Sequence, residues 1–384
     1  MKVAILTGEE FAFGIYGGFG YVARKTANLL KDLGHDVCII DVSSRYEQTS
    51  TLLEEGIPVY FLVNRTIHLG PRDELSLVKN FLKKIQLDVI ISISLYTCGR
   101  WAYYFKKVSR KTKSLIWFQD VRTNDDWRKI FGNSLFWLDS RNKYLSFFLL
   151  HERYRRFLRQ KGIDTADGLI TQAQLMRYKI TQLYKIRKNI ELVPNPIPIP
   201  SEKNIKKTKK PTVIFLGRLD PIKRPWLFAE IATKLPDIDF LILGDSHFSG
   251  IMASMMEKYR KIKNLQFLGL TIGEKKKNIL SSAWVLINTS LYESLPVSFL
   301  EALSYKISIL SCHNPDNITS NFGFYTEEIL GDGYNGIPKF INGLHYLLSN
   351  NRWISKGEEG YDFVKNFADE RKIAKKLDQI ISAL

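Results

Sequence analysis

Two kinds of segment alternate along this chain. Short apolar runs, KVAILT (2–7), DVCIIDV (36–42), VYFLV (59–63), DVIISIS (88–94) and SLIWF (114–118), are separated by longer stretches with helical spacing. Runs of this length without polar alternation read as strands buried on both faces. In YVARKTANLLKDLGH, Val22, Ala23, Ala27, Leu29 and Leu30 suit a helix packed on a sheet. The alternation predicts a parallel sheet with helices on both faces. It breaks at VPNPIPIPSEKNIKKTKKP (193–211), which has five prolines, a run of lysines and no helical period. It then restarts with TVIFLG (212–217), a helix from Pro225, DFLILG (239–244), NLQFLG (264–269), WVLINTS (284–290), a further helix and ISILS (307–311). Single cores stop growing at about 250–300 residues, so a chain of 384 residues is expected to divide. The expected division is an N-terminal domain over 1–195, a linker over 196–211, a C-terminal domain over 212–362 and a helical tail over 363–384. Both domains are expected to be Rossmann-like, doubly wound α/β units.

Composition narrows the class. The apolar fraction is 45%, ordinary for a soluble globular protein. No window reaches the roughly 20 apolar residues of a spanning helix, and the N-terminus reads as a first strand. Cys38, Cys98 and Cys312 are odd in number and far apart, which fits a reducing cytoplasm and argues against a disulfide framework or a zinc site. The six histidines form no metal-binding pattern. The net charge is +17, and residues 100–161 hold 16 Lys and Arg against 5 Asp and Glu. Such a surface favours anionic partners. No helix-turn-helix or RNA-binding motif points to nucleic acid.

Three stretches carry chemistry. In SLYESLPVSFLEAL (290–303), Glu293 precedes Glu301 by eight residues around Pro296. Proline is tolerated in a first helical turn, so the helix is expected to begin near Leu295–Pro296. Glu293 then lies in the preceding loop and Glu301 in the second turn. A carboxylate at the edge of an apolar stripe needs donors, and sugar hydroxyls serve. The helix start at Leu295, Pro296, Val297 and Ser298 offers free backbone N–H groups, from every one of these residues but the proline, and they suit a phosphate. In FLGRLDPIKRP (215–225), Arg218 and Lys223 follow a strand on its connecting loop. The carboxyl edge of a parallel sheet is where ligands bind, and this pair suits a diphosphate. In EEFAFGIYGGFGYVARKTANLL, Gly14, Gly17, Gly18 and Gly20 precede the first helix. Gly18, Gly20 and Ala23, with Asp41 ending the next strand, also match a dinucleotide fingerprint and raise the alternative of an NAD-dependent oxidoreductase. In that fingerprint the first glycine follows its strand directly, whereas Gly18 comes eleven residues after Thr7.

Together, the glycine-rich loop at 14–20, VPNPI at 193–197, GRLDPIK at 217–223 and ESLPVSFLEA at 293–302 resemble the retaining glycosyltransferases of family 4, the group 1 type with the GT-B fold. The likeness runs over nearly the whole chain. It implies two Rossmann-like doubly wound parallel-sheet domains facing across a cleft. The N-terminal domain binds an acceptor, a glycan or lipid-linked glycan, and the C-terminal domain binds a nucleotide-diphosphate sugar. It implies that Arg218 and Lys223 hold the donor's diphosphate, Glu301 its ribose and Glu293 its sugar, with Gly17 and Gly18 near the diphosphate and acceptor. Members often end an N-domain strand with histidine; this chain has Trp117-Phe118-Gln119-Asp120, so Gln119 or Asp120 takes that place. Many have Glu-Gly-Phe-Gly where this chain has Glu293-Ser294-Leu295-Pro296, and Gly-x-Pro where it has Lys306-Ile307-Ser308.

The resemblance also implies transfer with retained anomeric configuration, no metal and no cofactor beyond the donor substrate. A basic, aromatic segment over 134–162 suits an interfacial helix. A cytoplasmic enzyme of polysaccharide biosynthesis, peripheral at an anionic inner membrane face, is therefore expected.

Overall fold

The computed structural model describes residues 1–9, 17–42, 50–52, 55–62, 71–133, 145–245 and 251–384. Contacts divide the chain into two compact units, and the division is interleaved rather than linear. Unit 1 holds Met1–Val121, Phe147–Pro196 and Glu370–Leu384; unit 2 holds Arg122–Ser146 and Ile197–Asp369. The expected N-terminal domain of 1–195 therefore gives up a stretch after its sixth strand, and the end of the chain packs with unit 1.

In chain order, the first part runs β1 (Lys2–Thr7), α1 (Gly18–Asp32), β2 (Asp36–Asp41), β3 (Ser50–Leu52), β4 (Pro58–Phe61), α2 (Pro71–Lys84), β5 (Val89–Ile93), α3 (Leu95–Val108), β6 (Lys113–Phe118), α4 (Asn124–Phe131), α5 (Leu145–Thr165), β7 (Gly168–Thr171), α6 (Gln174–Leu183) and β8 (Glu191–Leu192). The second runs β9 (Thr212–Leu216), α7 (Pro225–Lys234), β10 (Asp239–Leu243), α8 (Ile251–Glu257), β11 (Leu265–Phe267), α9 (Gly273–Ser282), β12 (Val285–Asn288), α10 (Val297–Ser304), β13 (Ser308–Ser311), α11 (Ile318–Asn321), β14 (Gly323–Tyr325), α12 (Ile337–Leu348), α13 (Arg352–Phe367) and α14 (Glu370–Ala383).

Unit 1 carries a sheet of order β3-β4-β2-β1-β5-β6-β7-β8, parallel except for the edge strand β3. Val3, Ala4, Ile5 and Leu6 are fully buried, as a strand covered on both faces requires. On α1, Val22, Ala23, Thr26, Ala27 and Leu30 form the buried stripe. Helix α14 completes this unit: Lys25 pairs with Glu370 at 2.5 Å, and Lys376 donates to the Leu192 carbonyl at 2.8 Å.

Unit 2 carries an all-parallel sheet of order β11-β10-β9-β12-β13-β14. Numbered within the unit, this is 3-2-1-4-5-6, the doubly wound order. Its first crossover helix, α7, opens on Pro225 and buries Trp226, Leu227, Phe228 and Ala229. Phe228 meets Phe240 of β10 edge to face at 5.3 Å between centroids. The winding reverses between β9 and β12, where Val213 and Ile214 pair with Val285 and Leu286. In doubly wound sheets the ligand crevice opens at such a reversal, outside the carboxyl ends of the strands.

Candidate active site

The loop after β9 is built around Asp220, whose residue is 3% exposed. Its carboxylate accepts from the Lys223 backbone N–H at 2.9 Å and forms an ion pair with Arg218, 3.3 Å from Nε. Its carbonyl accepts the backbone N–H groups of Lys223 and Arg224. An Asp-Pro turn with its side chain bonded three residues ahead is a local Asx structure, and it fixes where Lys223 emerges. Arg224 follows with φ +48° and is fully buried. Its guanidinium donates to the carbonyls of Thr289, Ser290, Ile329 and Gly331, at 2.7, 3.1, 2.9 and 3.2 Å. Burial lowers its pKa from the ordinary value. Arg224 ties the loop after β9 to the loop after β12 and to the segment after β14. Gly244 at the end of β10 also serves this edge: at φ +148°, a Cβ there would lie 1.9 Å from the Gly217 carbonyl oxygen.

The loop after β12 brings Glu293 to Lys223. Lys223 Nζ lies 2.6 Å from Glu293 Oε1, and Ser290 Oγ and Asn288 Nδ2 donate to the same oxygen at 2.6 and 3.0 Å. The side chains of Lys223 and Glu293 are 23% and 8% exposed. Burial pushes the Glu293 carboxyl up, but the Lys223 charge and the three hydrogen bonds outweigh it and leave the group below the usual carboxylate range. Glu293 is therefore ionised at neutral pH. It can accept hydrogen bonds from hydroxyls or face developing positive charge; it has no proton to give.

His313, after β13, stands beside this group. Its Nε2 lies 2.8 Å from the Ser290 carbonyl, which can only accept, so Nε2 carries the proton. Burial lowers its pKa below the ordinary value.

Glu301 sits in the second turn of α10, which begins at Val297 with Pro296 as its N-cap. Its Oε1 lies 2.6 Å from Lys276 Nζ on α9. The two glutamates thus have separate lysines. Leu295 is buried, and Val297 and Ser298 form the first turn of α10. Unit 2 therefore places Arg218, Lys223, Glu293, Glu301 and residues 295–298 on the segments that follow β9 and β12.

The remaining expected residues belong to unit 1. Gly17 caps α1 and Gly18 opens it. A Cβ on Gly17 would lie 1.9 Å from Glu9 Oε2, so this glycine makes room for a carboxylate at the helix start. Gly14 lies outside the described residues. Gln119 is 2% exposed and donates through Nε2 to Asn195 Oδ1 at 2.7 Å. Asn195 Nδ2 donates to Gln172 Oε1 at 2.6 Å, and Gln172 Nε2 donates back to the Gln119 carbonyl. This closed amide circuit fixes the Gln119 side chain in the interior of unit 1. Asp120 is half-buried. The VPNPI segment gains a physical role here: Asn195 joins the circuit, and the Val193 carbonyl accepts from Trp117 Nε1 at 3.0 Å.

Of the basic aromatic segment, Phe136 and Trp137 lie outside the described residues, as do the side chains of Phe147, Phe148, Leu149, Leu150 and Arg153. On the rest of α5, Tyr154, Arg156 and Phe157 are exposed. Arg159 is 2% exposed and stacks on Tyr96 at 4.4 Å, so it belongs to the interior of unit 1 and not to an outward basic face.

Sequence reasoning passed over Asp220, Arg224, Lys276 and His313. Asp220 had a signal in its Asp-Pro turn chemistry. The other three are made important by contacts distant in the chain.

Residues 198–338 match the family model described as glycosyl transferases group 1. An uncharacterized glycosyltransferase of Methanocaldococcus jannaschii is 26% identical over 221 residues, 53% of this chain and 49% of that protein. The UDP-Gal:alpha-D-GlcNAc-diphosphoundecaprenol alpha-1,3-galactosyltransferase of Escherichia coli is 29% identical over 188 residues, 43% of this chain and 46% of that protein. The chain thus spans about half the length of these curated relatives. Among solved structures, Anabaena HepE in complex with UDP and glucose superposes over 100% of both chains with TM-score 0.73 at 14% identity. That likeness shows the fold: two Rossmann-like domains of the GT-B type. The matches give no support to the oxidoreductase alternative.

Proposed function

We propose that this protein is a retaining glycosyltransferase of family 4 that moves a sugar from a nucleotide-diphosphate sugar to a glycan or lipid-linked acceptor. The observation that carries the reading is the Lys223–Glu293 pair at the switch point of unit 2, within the stretch that matches group 1 glycosyl transferases. Departure of a nucleoside diphosphate builds negative charge on the leaving oxygens. Preplaced cations and N–H groups at that point lower the barrier. Arg218, Lys223 and the first N–H groups of α10 are assigned that task. Glu293, ionised and fed by three donors, is assigned to the donor sugar, and Glu301 to the ribose hydroxyls. Lys223 serves two partners in turn: it holds Glu293 without ligand and shares its ammonium with the diphosphate when donor binds. The reaction asks for no proton from Glu293, in keeping with its lowered pKa. Both of these relatives are named as glycosyltransferases, and one is named for a diphosphoundecaprenol acceptor, which supports an acceptor of that kind here.

A peripheral membrane location belongs to the same proposal. No helix of the described residues is long and apolar enough to cross a membrane. The exposed Tyr154, Arg156 and Phe157, with Lys161 over the Phe157 ring at 5.4 Å, support an interfacial face on α5.

The test is product analysis. Each of UDP-, GDP-, ADP- and dTDP-sugars is incubated with a diphosphate-lipid acceptor, and the new linkage is examined by NMR. The proposal expects nucleoside diphosphate release with the donor's anomeric configuration kept. An inverted product would refute retention, and absence of transfer from every donor would refute the activity.

A further inference from the structure

Helix α4 lies far from the candidate site in sequence, yet it packs in unit 2 against both loops that carry the site. Ile130 is fully buried against Tyr292, the residue before Glu293, and Ile222, the residue before Lys223, packs on the same cluster with Trp127 and Phe131. Arg122 spans the joint: its guanidinium lies 4.9 Å from the Trp127 ring and 5.1 Å from the Tyr292 ring. Asn133, also fully buried, donates through Nδ2 to the Pro221 carbonyl at 3.3 Å. Lys129 reaches Glu328 on the segment after β14 at 2.5 Å.

The helix is itself well founded. Thr123 and Asp126 form a reciprocal capping box, with Thr123 N donating to Asp126 Oδ2 at 2.7 Å and Asp126 N to Thr123 Oγ1 at 3.3 Å. The two loops it touches are already joined: the Leu291 N–H donates to the Ile222 carbonyl at 2.6 Å, and Thr289 Oγ1 donates to the Lys223 carbonyl at 2.8 Å.

We infer that α4 is a positioning clamp for the Lys223–Glu293 pair, acting through Ile130, Trp127, Arg122 and Asn133 on Pro221, Ile222 and Tyr292, which lead into Lys223 and Glu293. None of these four is assigned contact with substrate; they are positioning residues. Loops placed by packing from a second element hold a reacting geometry that their own hydrogen bonds leave softer, and small misplacements of such groups are costly in rate. The catalytic consequence rests on the glycosyltransferase reading. The clamp itself does not.

Hydrogen–deuterium exchange on the full chain separates the two. The backbone amides of Lys223, Arg224 and Leu291 report the loops, and those of β9 and β12 report the sheet. In Ile130→Ala and Trp127→Ala, the loop amides should exchange about tenfold faster or more while the sheet amides keep their wild-type rates. Ile130→Val should restore most of the protection. Asn133→Ala, a milder change, should give a smaller rise confined to the loop after β9, and it serves if Ile130→Ala does not fold. In the transfer assay, the alanine variants should lose turnover about tenfold or more with the donor KM little changed. Wild-type protection of the loop amides in Ile130→Ala, Trp127→Ala and Asn133→Ala would overturn the clamp, as would a rise spread equally over β9 and β12. If the wild type transfers no sugar, the exchange result still decides the clamp, and the functional reading fails alone.

Discussion

Replacing Lys223 by methionine removes the ammonium that faces a carboxylate only 8% exposed. Breaking a buried ion pair by deleting one partner costs about 3–5 kcal/mol. Here Asn288 and Ser290 still donate to Glu293, and the lysine side chain is 23% exposed, so water already screens part of the attraction. The expected loss at neutral pH is therefore about 2–3 kcal/mol, or roughly 4–12 °C in melting temperature for a unit of this size. The pH dependence gives the sign. In the wild type Glu293 lies below its ordinary value, because Lys223 and the hydrogen bonds outweigh burial. Its stabilising contribution is present above the unfolded-state pKa and is lost as pH falls through the folded one. Without Lys223, burial dominates and the carboxyl rises. The variant's deficit should be full near pH 7.5, narrow as pH falls through the variant's raised pKa, and shrink further as pH falls through the wild type's lowered one, below which the carboxyl is protonated in both proteins. Thermal melting across this range is the assay. The double variant Lys223→Met/Glu293→Gln should recover most of the loss at neutral pH. A deficit that is absent, or that stays constant with pH, would refute the assignment of Lys223 as the charge that keeps Glu293 ionised.

Glu301→Gln should weaken binding of the free nucleoside diphosphate by calorimetry, whereas Glu293→Gln should leave it nearly unchanged and lower turnover; equal losses would end the division of roles. Lys207, between units of secondary structure at the start of unit 2, donates to the carbonyls of Ala283 and Tyr305, and burial brings its pKa down to about 7. A depressed lysine costs stability most at low pH, so any advantage of Lys207→Met should shrink by about 1.4 kcal/mol per pH unit between pH 7 and 9.5, read as the gap in melting temperature between variant and wild type. The protein should float with anionic vesicles and less at high salt; reversing Arg156 and Lys161 to Glu should abolish flotation and spare nucleotide binding, while soluble wild type at low salt would remove the membrane face. Arg159 is left out of that reversal because it is buried.

The longer strands were largely legible because parallel strands covered on both faces write themselves as continuous apolar runs. KVAILT, TVIFLG and DFLILG became β1, β9 and β10 within a residue. The strands passed over were short or at edges: β3, β7, β8 and β14 have two to four residues and little apolar signal of their own. Pro296 marked the start of α10 correctly, since its ring cannot sit deeper in a helix. Arg218, Lys223 and Glu293 stood out through loop position and motif spacing. The partners of Gln119 were not legible, because a strand-end amide looks the same in sequence whether or not it closes a circuit, as it does here with Gln172 and Asn195. Arg224 looked like one more surface cation, yet its partners are carbonyls 65 to 107 residues away. The docking of α4 was equally hidden, because Ile130 and Tyr292 are ordinary apolar and aromatic positions until the fold brings them together.

In the proposed function, the switch point of unit 2 binds a nucleotide-diphosphate sugar through its two loop cations. The most direct measurement is calorimetric titration of wild type, Arg218→Ala and Lys223→Ala with UDP-, GDP-, ADP- and dTDP-sugars. The wild type should bind at least one donor saturably. Each alanine variant should lose about 1.5–3 kcal/mol of that binding, as expected for one charge-assisted hydrogen bond. Binding at wild-type strength by both variants, or no binding of any of the four donors by the wild type, would contradict it.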